Sequence, residues 1–368
     1  MEQPIEFTFS TQTVQNWEEA ALKELEAGNS LRKILVEKSG LTIKPYFTKE
    51  DVSANLLPSL AASTNPYLGA RTWYNMPKVV VENADQANQE ALAHLQAGAD
   101  GVCFDLKEGN IKAARLLDQI ELPYCLITFL ANKNSIPFLE SFHAFAEKKF
   151  DKATLTGNIF WEAEPDYQVV KKFTEWKQFQ AGGIVIESHT DAIEEIAGGL
   201  TKAINCLDHC SEQVIEIENA FHQIAFSISV GNDFFVEIAK LKALRFLWQQ
   251  VEGSYKIKNH KPLFIRAVST PWVNKAYQPH GNLIKETYSA MSAILGGCYA
   301  LTIEPEDFKN LTMVRMARNA SLVLREESFL SQVADPLAGS YFIDSLTQQM
   351  AEKAWGKFLI ATEARKSS

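Results

Sequence analysis

The side chains able to do chemistry gather at the ends of short β-rich runs. His189 follows Glu187 and Ser188 and precedes Asp191. A histidine with carboxylate neighbours can act as a general acid near neutral pH. The same arrangement also suits a hydrogen-bonded loop histidine. Ser227 and Ser229 alternate with Phe226, Ile228 and Val230, and alternate residues of a strand share a face. Small hydroxyls on one face either leave room for a thin ligand or fill a core. Arg266 can face a phosphate or carboxylate, or it can pair with Asp105, Glu187 or Glu304. A buried guanidinium is costly without such a partner. Ser269 and Thr270 end the run that contains it.

Two weaker constellations carry less. Cys206, His209 and Cys210 offer a C-x3-C pair with an intervening histidine. The surrounding pattern is helical, and no second pair follows to complete a metal site. The glycine pairs 182–183, 198–199 and 296–297 fit neither GxGxxG nor GxxxxGK[ST], so they read as turns and helix ends.

The elements that position these residues follow a rhythm. Eight β-rich runs are predicted at 70–76, 101–106, 124–130, 154–161, 183–188, 223–230, 263–269 and 298–303. Several are almost continuously apolar, as buried parallel strands are. Helical patterns lie between them, among them 85–97, 191–206, 233–250 and 281–295, and 340–359 reads as a closing helix. Eight strands alternating with helices predict an α/β fold, a (β/α)8 TIM-type barrel; a doubly wound sheet is the competitor. In a barrel, the strand C-termini carrying the candidates above form the functional face. The stretch 233–248, DFFVEIAKLKALRFLW, is apolar around most of its circumference, so it must pack between neighbours. Residues 1–64 are expected to form an N-terminal extension, with 65–368 the barrel. Within the extension, Trp17, Ala21, Leu22 and Leu25 make an amphipathic helix that covers either the chain's own barrel or a partner.

The 368 residues carry a net charge of −9 and 46% apolar residues. That composition suits a large core and argues against nucleic acid or an anionic membrane surface as partner. No run approaches the roughly 18–20 apolar residues of a membrane span. The N-terminus has no signal-peptide pattern, and the five cysteines read as reduced thiols of a cytoplasmic protein.

Three stretches resemble the methylmalonyl-CoA mutase family: GLTIKPYFTKED at 40–51, FFVEIAKLKALRFLW at 234–248 and DPLAGSYFIDSLTQQMAEKAW at 335–355. The stretches 280–297 and 308–328 are similar to the family in order and spacing. The resemblance implies a barrel threaded by the coenzyme A arm of the substrate. It also implies adenosylcobalamin and interconversion of methylmalonyl-CoA and succinyl-CoA. On that reading Ser227, Ser229, Arg266, Ser269 and Thr270 are candidates to line the substrate channel. His189 is a weak candidate for the family's catalytic histidine.

The departures are specific. The family's D-x-H-x-x-G, which supplies the cobalt-ligating histidine from a second domain, is absent from these residues. The chain alone is therefore expected to bind no cobalamin. R-P-W-T-I-R-Q-Y is matched by 71–78, which puts Lys78 in the place of the tyrosine. The tyrosine–histidine pair after the fifth strand is missing, and R-T-H-S-Q loses its glutamine at 266–270. These losses resemble the small (beta) subunit of heterodimeric bacterial mutases. That subunit supports a catalytic large (alpha) subunit, which carries the adenosylcobalamin chemistry on acyl-CoA. An active barrel separated from its cobalamin domain, and a stand-alone binding or assembly module, are the alternatives.

Overall fold

The computed structural model describes residues 12–25, 30–53, 58–63, 69–107, 111–189, 191–269 and 281–366. The chain opens with helix α1 (Val14–Glu24), whose Thr13 cap receives the Asn16 amide. An antiparallel hairpin follows, β1 (Val36–Lys38) and β2 (Leu41–Ile43). Next come β3 (Tyr74–Asn75), β4 (Lys78–Val81), α2 (Ala84–Gln96), β5 (Gly101–Leu106), α3 (Ala113–Leu116), β6 (Leu126–Ala131), α4 (Ile136–Lys149), β7 (Gly157–Trp161) and α5 (Tyr167–Phe173). They are succeeded by β8 (Phe179–Val185), α6 (Ala192–Glu212), α7 (Ile217–Gln223), β9 (Ile224–Val230), α8 (Phe234–Ser254), β10 (Ile265–Ser269), α9 (Gly281–Leu295), β11 (Ala300–Ile303), α10 (Leu311–Glu326) and α11 (Tyr341–Lys366).

The strands from β3 onward form one parallel sheet in the order β3-β11-β10-β9-β8-β7-β6-β5-β4. Its two ends, β3 and β4, are consecutive in the chain and separated only by Met76 and Pro77. The sheet therefore closes on itself as a barrel of eight staves. Pro77 cannot donate to a ladder, which splits the first stave in two. On either side of it, Met76 N donates to Leu301 O (2.9 Å), and the Pro77 carbonyl accepts from Cys103 N (2.9 Å). This break is also why the first run, expected at 70–76, is a stave at 74–81. The fifth stave begins at Phe179, not Gly183. Its paired glycines lie inside the strand and make no turn. Gly198 and Gly199 likewise sit within α6, where a Cβ on Gly199 would meet Ile186 at 2.6 Å.

Outward side chains such as Val79, Phe104, Phe129, Ile159, Phe226 and Leu301 meet the helix layer in one continuous core. Helix α8 packs against α6, α9 and α11 at once, as its nearly all-round apolar surface requires. Its charges are each spent locally. Lys240, 2% exposed, holds Glu195 and Glu237, both at 2.6 Å, and donates to Ser229 O at 2.9 Å. Lys242 binds Asp335 at 2.8 Å. Arg245 donates to the carbonyls of Leu263 and Gly297. Asp335 also accepts the Leu60 amide at 3.0 Å, tying the N-terminal segment to this corner. Helix α11 is bound to the hairpin through Gln349, which takes and returns hydrogen bonds with the backbone of Thr42. Among the described residues, no helix is long and apolar enough to cross a membrane.

Candidate functional site

Alternation along the staves decides which side chains enter the barrel. Part of the interior is apolar, with Met76, Cys103, Leu126, Phe160, Ala225, Phe264 and Ala300 in one cluster flanked by Tyr74. Rings follow one another across it: Tyr74 to Tyr299 at 6.2 Å, Tyr299 to Phe264 at 5.2 Å, Phe264 to Phe160 at 6.4 Å. Gly183 makes this filling possible. A Cβ there would lie 2.7 Å from the Phe160 ring and 2.4 Å from Ile159 O. Cys103 is fully buried, and burial pushes its thiol above the ordinary value despite Arg266 nearby. It is therefore no nucleophile near neutral pH.

The polar side chains of the interior are satisfied by one another. Arg266, 2% exposed, donates Nη1 to Ser227 Oγ (2.9 Å) and Nε to Thr302 Oγ1 (3.2 Å). The expected carboxylate partner is not used: Asp105 pairs with Lys107 at 2.9 Å, Glu187 with Lys202 at 2.6 Å, and Glu304 with Lys78. Asn158 donates to Gln180 at 2.6 Å and receives Thr128 at 3.4 Å. At the C-terminal mouth the ion pair of Lys78 and Glu304 bridges the first and last staves, with the ammonium 4.9 Å from the Phe308 ring centre. Apolar, polar and charged side chains thus occupy the axis.

The candidates do not converge on one centre. Ser227 and Ser229 share the inner face, and Ser227 is consumed by Arg266. Ser269 must be removed from the inward-facing set. Its hydroxyl turns outward and donates to Glu286 O of α9 at 3.2 Å. Thr270 lies outside the described residues. His189 is exposed; its Nδ1 accepts the Asp191 amide at 3.3 Å and its own amide donates to Glu195 at 2.8 Å. Among the described residues no carboxylate orients the ring, so it lacks the support of a poised acid or a metal ligand. Among the described histidines it alone stands at the strand C-termini, and these surroundings do not fit the axial ligand of a corrin. The described Cys and His residues form no metal-binding group.

One residue at the mouth escapes the sequence patterns used above. Glu286 on α9 is 2% exposed, and its Oε1 is buried without a hydrogen-bond partner. It lines a void of about 20 Å³ with Leu283, Pro305, Glu306, Met313 and Met316. Burial first, then the charges of Glu306 and Glu304, push its carboxyl up to about 7. The signal was available: position 286 falls between Leu283 and Ala290 on the helix's buried stripe, where a carboxylate is out of place.

Fold and site together define a closed (β/α)8 barrel whose axis is packed rather than open. Residues 166–363 match the family model for methylmalonyl-CoA mutase. The chain is similar to a methylmalonyl-CoA mutase small subunit of Porphyromonas gingivalis, 28% identical over 88% of this chain and 58% of that one. It is also similar to a methylmalonyl-CoA mutase of Rhizobium meliloti, 27% identical over 94% of this chain and 57% of the other. A solved Yersinia pestis DHPS chain aligns with 70% of it at 14% identity and a TM-score of 0.37. The chain belongs to the methylmalonyl-CoA mutase family. It spans a little over half the length of these two curated relatives.

Proposed function

We propose that this chain is the barrel portion of a methylmalonyl-CoA mutase small subunit. It supports an adenosylcobalamin-dependent large subunit that interconverts methylmalonyl-CoA and succinyl-CoA in the cytoplasm, and it turns over no substrate itself. The observation that carries the reading is the filled axis. A pantetheine arm needs a continuous bore, yet Phe160, Phe264 and Arg266 occupy it. The place that resembles the family's substrate-stacking tyrosine holds Lys78, bound to Glu304. Cobalt–carbon chemistry requires a held corrin and a closed, lined channel, and the described residues supply neither.

The N-terminal extension, residues 1–64, is assigned to subunit contact. Helix α1 buries none of its residues against the barrel, although Trp17 stacks on Tyr46 at 5.5 Å. An amphipathic helix whose apolar face is only half covered gains stability from a partner. Mixing the chain with a mutase large subunit and following sedimentation velocity tests the assignment. A stable one-to-one complex is expected at micromolar concentrations, weakened when Trp17 and Leu22 are changed to serine. Two separate boundaries at those concentrations would overturn it.

A further inference from the structure

Helix α9 is fastened unevenly along its length. From Ser289 onward it is anchored: Ser289 donates to Gly231 O at 2.6 Å, and Ala290, Ala293 and Ile294 lie in the core. Over the first two turns, 281–288, the hold is thinner. Asn282 and Glu286 are the buried positions there, while Ile284 is 74% exposed. The Glu286 carbonyl accepts from Ser269 of β10. Its side chain lines the small void at the mouth, and the facing wall is Pro305, Glu306, Met313 and Met316.

The charges that act on the Glu286 carboxyl have its own sign. Helix α9 packs against α8, α10, β9, β10 and β11. The segment after β11 brings Glu306 and Glu304, and Lys78 of the first stave is bound to Glu304. Asp307 is turned to the Lys309 amide. Helix α10 presents the thioethers of Met313 and Met316, and its Arg315 is exposed. β9 and β11 carry no charged side chain, and Arg266 of β10 donates to Ser227 and Thr302 inside the barrel. On α8, Glu237 and Lys240 hold each other. Lys285, the next residue along α9, points to a different side of the helix. Among the described residues, Glu286 thus forms no ion pair, and its Oε1 is buried without a hydrogen bond. A neutral acid tolerates such a site far better than a carboxylate does.

We propose that Glu286 is a proton-operated latch on the C-terminal mouth. With its proton, the first two turns of α9 stay closed on the segment 304–316. When the carboxyl releases that proton to solvent, they come away from this wall while the helix from Ser289 onward stays in place. Two turns without a wall do not hold as a helix, so they fray. The pH window follows from the two states. The closed form keeps its proton up to about 7, whereas an opened carboxyl has the ordinary value of 4.5. Closure is therefore fully favoured below about pH 4.5. Opening gains about tenfold per pH unit from there and levels off above about pH 7. The latch rests on the surroundings of α9 and not on the assignment of the chain to a subunit.

Amide hydrogen exchange of the full chain from about pH 4.5 to 8.5, corrected for the chemical exchange rate, tests this. It is paired with NMR of the methionine methyl groups. The amides of 285–288 are the first that α9 itself bonds. Their exchange should rise by about a hundredfold up to about pH 7 and then level off, while 290–295 keep their protection. The methyl signals of Met313 and Met316 should move across the same window, and those of the buried Met76 and Met350 should not. Glu286→Gln should hold 285–288 at their low-pH protection throughout. Glu306→Gln keeps the latch but removes a like charge, so the window should end at lower pH. Exchange at 285–288 that ignores pH, that rises in step with 290–295, or that rises equally in Glu286→Gln would each overturn the proposal, as would an unshifted window in Glu306→Gln.

Discussion

The corner where α8, α11 and the β1–β2 hairpin meet differs sharply from the C-terminal mouth of the barrel in how it treats charge. In the corner, Lys240 sits between two carboxylates, Lys242 is bound to Asp335, and Gln349 closes a reciprocal pair with Thr42. At the mouth, Glu286 is buried without a partner for Oε1 beside Glu304 and Glu306, and Lys78 crosses to Glu304. Whereas 280–297 and 308–328 reach the mouth, the other stretches whose wording resembles the family, 40–51, 234–248 and 335–355, lie in the corner. Their polar residues are consumed in fastening helices to one another. The stretches that depart from the family line the axis and the mouth. Retained wording in the corner therefore reports a retained scaffold, and chemistry has to be judged at the mouth.

The comparison can be broken most forcefully at Lys240. Lys240→Met leaves Glu195 and Glu237 buried without their cation, and stability in urea should fall by about 3–5 kcal/mol. A loss under 1 kcal/mol would mean the corner is not fastened by this network. In the axis, Phe160→Ala should cost about 3–5 kcal/mol, the usual penalty for emptying a buried aromatic site. A near-neutral result would show that the apolar cluster of the axis is loosely filled.

Glu286→Gln sharpens the other side of the contrast through pH. The folded-state value of Glu286, about 7, lies above the ordinary 4.5, because burial and the neighbouring carboxylates favour the protonated form. Its stabilising contribution is thus complete below about pH 4.5 and is lost as the pH rises through about 7. Denaturation midpoints of the native chain should carry a fall across that window that the glutamine variant lacks. Parallel profiles for the two proteins would contradict this account of the mouth. The smallest effect belongs to His189→Ala, an exposed loop change expected to shift stability by no more than about 0.5 kcal/mol.

The barrel was legible in the sequence because its staves are apolar runs set between helical patterns, and α8 announced its burial by being apolar all round. The first stave was misplaced because Pro77 interrupts the ladder at a point where the chain continues in the same direction. The fifth was shortened because Gly182 and Gly183 look like a turn, whereas Gly183 is small to admit Phe160 from the next stave. That requirement is a contact between neighbouring staves and leaves no local trace. Arg266 was expected to pair with Asp105, Glu187 or Glu304, but hydroxyls on the two flanking staves serve in place of a carboxylate. Ser269 was drawn into the candidate set by its position at a strand end, and only the α9 packing reveals that it faces outward.

The claim that this barrel supports chemistry without performing it is tested most directly by a turnover assay. Methylmalonyl-CoA and adenosylcobalamin are supplied to the full chain alone, to a mutase large subunit alone, and to the two together. No succinyl-CoA is expected from the chain alone, and the mixture should match or exceed the large subunit. Succinyl-CoA formed by the chain alone, and abolished by Lys78→Ala, would contradict the account.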